Sequence, residues 1–251
     1  MKKNLTALIL LCVALVACGL SGCASDDEND IENAFLNPAL DTNARIESFV
    51  GTMFVDPKIP FFDGFDDMSE ELNSFLLFLG VYKGIVYKNP GVAGDGLTKE
   101  MIEDNIRAIF GQEAIANLDY SHIVAEYDEQ RGVYVPGPYG APQYGLRYIF
   151  HSIENVSGNV YKTVVSYIDT NGFLLSFDAD GSGNWIIPED INERIEKANF
   201  DEHTKVREEG IEEFKNEILA NPDKYERTEL YLEIGDDYIH LLSAKLYNED
   251  K

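Results

Sequence analysis

The chain has 251 residues, with 45 Asp or Glu against 20 Lys or Arg and a formal charge of −25. A body this acidic repels phosphate backbones and lacks the basic patches that nucleic-acid binding needs. Yet 45% hydrophobic and 12% aromatic residues mark a globular chain and not a disordered polyanion, long enough to bury roughly 70% of its surface in one domain or two small ones.

In chain order, Lys2 and Lys3 come first, followed by an apolar stretch over residues 5–17. That stretch falls short of the roughly 20 apolar residues of a membrane-spanning helix and fits a secretory signal. It runs into Leu20-Ser21-Gly22-Cys23, which resembles the lipobox of bacterial lipoproteins. The resemblance implies cleavage after Gly22, diacylation of Cys23 with fatty acids of the palmitate class, and a chain held at the extracytoplasmic face of the cell membrane. Leu15-Val16-Ala17-Cys18 fits the same pattern, so Cys18 is a second candidate acceptor. Cys23 is favoured by the full apolar stretch before it and the polar run Ser25-Asp26-Asp27-Glu28-Asn29-Asp30 after it. All cysteines stand at positions 12, 18 and 23, so the body beyond Cys23 holds no disulfide or thiol nucleophile. Residues 1–22 hold no acid, and loss of Lys2 and Lys3 takes the charge to −27. The expected division is a signal peptide over 1–22, an acidic tether over 23–32, and one α+β domain over 33–251 whose character changes near residue 120.

The first part of that domain reads as helical. Residues 43–54 form a weak helix candidate interrupted by Gly51. Asp67 with Glu70 suggests a capping box, ahead of Leu72, Phe75, Leu76 and Leu79 at helical spacing. Thr98 can cap a further helix with Ile102, Ile106, Ile109 and Phe110 on one face and Gly111 at its end. From His122 the pattern turns to strands: 123–127 and 132–135 around a turn, 148–156 and 160–168 around Ser157-Gly158-Asn159, and 173–177 after Thr170-Asn171-Gly172. A helix then carries Ile211, Phe214, Ile218 and Leu219 and stops at Asn221-Pro222. A last hairpin pairs 229–234 with 238–247. Segregated helices and antiparallel strands predict an α+β fold, with a curved sheet of cystatin-like or NTF2-like type as one architecture that fits.

The most specific site motif is Asp178-Ala179-Asp180-Gly181-Ser182-Gly183-Asn184-Trp185-Ile186-Ile187-Pro188-Glu189. It resembles the calcium loop of the EF-hand family, and the resemblance implies Ca²⁺ held by the side chains of Asp178, Asp180, Ser182 and Glu189 and the carbonyl of Asn184. It departs from that family at Trp185, Ile186 and Asp190 and lacks the entering helix. A polar turn is the competing reading of the same residues. A second candidate is the Pro/Gly-punctuated loop over 134–145, whose Tyr134, Tyr139 and Tyr144 recur every five residues. Such rings suit sugars or peptides, or pack on the sheet as anchors. Of the histidines, His122, His151 and His240 fall in predicted strands and His203 on an acidic helix. None has zinc-protease spacing, and each reads as structural.

The body is also similar in style to uncharacterised surface lipoproteins of Gram-positive bacteria, in residues 97–111, the Tyr-Pro-Gly loop and Asn221-Pro222-Asp223-Lys224-Tyr225, and no activity comes with the likeness. The expected function is that of a lipid-anchored, non-enzymatic binding or envelope module, with the membrane and a surface protein or glycan as partners and no nucleic acid. The alternatives are an envelope hydrolase using clustered carboxylates and a calcium-stabilised surface protein.

Overall fold

The computed structural model describes residues 34–37, 39–55, 58–88, 96–137, 145–169 and 200–248, with 191, 193, 194, 197 and 198 between. The described residues form four α-helices, a five-stranded antiparallel sheet and a separate two-stranded one, an α+β fold as the sequence predicts. Strand 173–177 of the sequence reading lies outside the described residues.

Helix α1 (Thr42–Met53) starts where the Asp41 carboxylate accepts the Ala44 N–H at 2.9 Å. Helix α2 (Glu70–Lys88) is capped by Ser69, whose hydroxyl accepts the Leu72 N–H at 3.1 Å. This corrects the Asp67–Glu70 box, because the side chain that reaches the first free N–H belongs to Ser69. Helix α3 (Lys99–Phe110) follows its predicted caps, Thr98 and Gly111. The three helices pool their apolar faces around a chain of phenylalanines, in which Phe54, Phe65 and Phe75 lie 6.0 to 6.2 Å from the Phe110 ring.

The sheet runs β1-β7-β6-β5-β4, from β1 (Phe62–Asp63), β4 (Leu146–Ser157), β5 (Val160–Asp169), β6 (Thr228–Ile234) and β7 (Ile239–Leu246). Strands β2 (Ala125–Asp128) and β3 (Val133–Pro136) pair only with each other. Strand alternation gives the large sheet two faces. Val165, Leu230, Leu232, Ile234, Ile239, Leu241 and Ala244 point into the core shared with α1, α2 and α3. On the reverse face Ile149 and Ile168 meet Ile211, Phe214 and Ile218 of helix α4 (Phe200–Ala220). Leu219 was expected in that stripe but is 43% exposed, because position 219 falls off the face that 211, 214 and 218 share. Arg147 on β4 latches α4 by a two-pronged pair with Glu208, at 2.7 and 2.9 Å.

Helix α4 packs on β4 and β5 through Ile149 and Ile168. Beside the β6–β7 turn Arg45 of α1, itself buried, donates to the carbonyls of Phe35 at 2.8 Å and Gly235 at 2.9 Å. A buried guanidinium held by carbonyls thus fastens the incoming chain to the β6–β7 turn.

Candidate functional site

Cys18, Cys23, Tyr139, Tyr144 and the proposed calcium ligands Asp178, Asp180, Ser182, Asn184 and Glu189 lie outside the described residues. Of the predicted site residues, Tyr134 is described. It sits on β3 directly across from Tyr127 on β2, with ring centroids 4.9 Å apart, and 5.6 Å from Tyr120. The Lys99 ammonium lies 4.8 Å from the centre of the Tyr120 ring. Burial pushes the Tyr120 and Tyr134 hydroxyls above their usual range, so both stay protonated. Cross-strand register brings Tyr134 to Tyr127. Only Tyr127 presents much surface, at 52% exposed.

A concavity lies elsewhere. A cleft of about 630 Å³ opens over the reverse face of β6 and β7, walled by Asp63 to Phe65 after β1 and by Phe110 to Glu113 at the end of α3. Its floor carries Val160, Tyr231, Glu233, His240 and Lys245. These are the strand positions that alternate with the core residues Leu230, Leu232, Ile234 and Leu241, so the packing of the core aims them into the cleft. The volume falls in the range of small-molecule sites, roughly 300 to 1,000 Å³.

His240 is held from three sides. The Tyr238 ring stacks on it at 4.4 Å and 25°. Tyr238 reaches that position by lying against Gly235, where a Cβ would come within 2.1 Å of its ring. On another side stands Gly111, whose φ of +86° and ψ of 179° belong to a region almost reserved for glycine. Third, the Glu233 carboxylate lies 3.8 Å from His240 Nδ1 and accepts a hydrogen bond from Asn159 Nδ2 at 3.0 Å. Burial lowers the His240 pKa and Glu233 only partly opposes it, which leaves the imidazole neutral near pH 7. Beside it Lys245 pairs with Asp63 at 2.8 Å and sits 5.5 Å from the Tyr231 ring centre.

Sequence reasoning took His240 for a structural residue and passed over Tyr231, Glu233, Glu113 and Lys245. Alternation marks Tyr231, Glu233 and Lys245 as facing away from the core, but the walls, Glu113 among them, come from beside β1 and α3, far away in sequence. His122, expected in a strand, lies in a 3₁₀ turn (Tyr120–His122), which the Asp119 side chain caps through the Ser121 N–H at 2.9 Å. His151 is on β4, where its Nε2 lies 3.0 Å from the Ser166 hydroxyl.

No family model, curated protein or solved structure matches this chain. Among the described residues no three His, Cys, Asp or Glu side chains gather closely enough to hold a metal ion. No described helix is long and apolar enough to cross a membrane.

Proposed function

We propose that this chain is a lipid-anchored extracytoplasmic protein that binds a small ligand in the cleft over β6 and β7. The single observation that carries the binding reading is a cleft of about 630 Å³ whose apolar surfaces, Phe65, Phe110, Val160 and Leu242, adjoin convergent polar groups on Tyr231, Glu233, His240 and Lys245. Small-molecule sites have this mixture, an apolar lining that holds the ligand and a few polar groups that orient it. The anchoring half rests on the Leu20-Ser21-Gly22-Cys23 lipobox. Two acyl chains on Cys23 supply the paired hydrophobic anchors that stable attachment needs.

Binding is preferred to carboxylate-based hydrolysis on electrostatic grounds. A glycosidase-like pair needs one carboxyl kept protonated near neutral pH. Among the described residues, the carboxyls that their surroundings perturb, Glu208 beside Arg147 and the turn-capping Asp119 and Asp128, are pushed down and not up. In the cleft, Asp63 is engaged by Lys245 and Glu233 by Asn159.

A panel of sugars, amino acids, amines, nucleosides and short peptides, read by thermal shift, tests the binding reading. A ligand of the native state must raise Tm in a saturable way. The expected result is at least one such ligand whose effect is lost in Val160→Trp, which fills the cleft from its partly exposed floor. A panel without any shift, or shifts that survive the filled cleft, would contradict it. For the anchor, Cys23→Ala should release the protein into the medium while Cys18→Ala leaves it membrane-bound, and the reverse pattern would move the acceptor to Cys18.

A further inference from the structure

The cleft contains one ammonium site that the chain fills itself and, next to it, the parts of another that it leaves open. In the filled one, the Lys245 ammonium lies 2.8 Å from the Asp63 carboxylate and 5.5 Å from the Tyr231 ring centre, a carboxylate and an aromatic face around one cation. The neighbouring set is Glu233 with His240, whose ring is held by the Tyr238 stacked on it. Among the described residues the basic group beside this carboxylate is His240, which burial keeps neutral near pH 7, and the hydrogen bond Glu233 accepts comes from the uncharged Asn159 amide. Across the cleft Glu113 is exposed and makes no ion pair among the described residues. The lining also includes Phe65 and Leu242, and Val160 on β5 across from Glu233, which suit methylenes.

We infer that the cleft takes a small aliphatic amine: an ammonium group at the Glu233 edge, an apolar stem along Leu242 and Phe65, and, in a diamine, a second ammonium toward Glu113. This rests on the reading of the cleft as a ligand site and names its ligand class. The formal charge of −25 would speed the approach of such a cation, but it attracts any cation, so specificity has to come from the stem and from the placement of the two carboxylates.

The test is calorimetric titration of the full-length protein in neutral detergent, with 1,5-diaminopentane, pentylamine and 1,5-pentanediol as probes. The diamine should bind saturably, pentylamine more weakly, and the uncharged diol not at all. Glu233→Gln should weaken the diamine by about tenfold or more, as expected for loss of a charge-assisted contact. Glu209→Gln, on the exposed surface of α4, removes the same charge away from the cleft and should leave affinity unchanged. If Glu233→Gln fails to fold by circular dichroism, Glu113→Gln, on the 3₁₀ turn Gln112–Ile115 that follows α3, decides instead, with diamine affinity expected to fall toward that of pentylamine. Equal weakening by Glu209→Gln, equal binding of the diol, or no binding of the diamine would each overturn the inference. If the diamine fails while another ligand still gives a shift that Val160→Trp abolishes, the amine assignment falls and the binding reading stands. If no ligand does, both fall.

Discussion

His240 has a stacked tyrosine and a glycine at its ring, and a glutamate by Nδ1. Burial lowers its pKa, and His151 is lowered in the same way by burial and by the nearby Arg227. Both are therefore neutral in the folded chain at a pH where the unfolded chain takes up protons, near the ordinary value of 6.5. Below that value the unfolded state binds more protons, so stability is full above about pH 7 and falls as pH drops through the 6.5 region toward the lowered folded values. The urea midpoint should therefore decrease between pH 7.5 and 5.5, with a shallower slope in His240→Gln and His151→Gln. A midpoint that rises over this interval would contradict the burial of these rings. Asp119, Asp128 and Glu208, all lowered, add to the loss only at more acidic pH. None of this was legible in the sequence, where His240 is one alternating position in a strand and its glycine, tyrosine and glutamate neighbours carry no shared motif.

Elements were legible where a local signal repeated or ended sharply. Helices α2 and α3 announce themselves by spacing, and the β4–β5 and β6–β7 hairpins by their turns at Gly158 and at Gly235-Asp236-Asp237. Strand β1 was not legible, because two residues have no periodicity. Phe62 and Asp63 form a strand only because the edge of β7 at Ala244 and Ser243 is there to pair with them. The contact between α2 and α3 was hidden for a similar reason. Gly80 reads as a weak point in a helix, yet it is where α3 comes closest: an added Cβ would lie 2.8 Å from Ile106 Cγ1 and 3.0 Å from Ile102 Cγ2. Asn105, buried, donates to the Gly80 carbonyl at 2.8 Å and fixes that approach. Gly80→Ala gains helix propensity but overpacks the seam, and the second effect is the larger, for a net loss of about 1 to 2 kcal/mol. Denaturant titration checks the sign, and Ile106→Val should recover part of the loss in the double mutant. A stabilised Gly80→Ala would mean that the two helices stand further apart than described here.

At the scale of the whole molecule, the described residues put three helices on one face of the sheet and a fourth on β4 and β5 of the other, with the cleft over β6 and β7. Arg45 places the incoming chain at the β6–β7 turn, the same end of the sheet as Glu233 and His240. The stretch from Cys23 to Ala34 can span at most about 40 Å, so an acylated Cys23 would hold the cleft end within that distance of the membrane. The helix-rich half and sheet-rich half divided at residue 120 share one core, because β1 and α3 pack directly on β7. The change of composition marks a change of element type and not a boundary. For Asp178–Glu189, excess calcium should raise Tm relative to chelator if those residues ligate the ion, and an unchanged Tm would make the segment a polar turn.

The central claim is that the ligand sits over β6 and β7, and amide chemical-shift mapping tests it most directly. Titrating the most stabilising ligand of the panel into isotope-labelled protein should move the resonances of Gly111, Tyr231, Glu233 and His240 first and furthest. Shifts centred instead on Tyr120, Tyr127 and Tyr134, or spread along α4, would contradict the account.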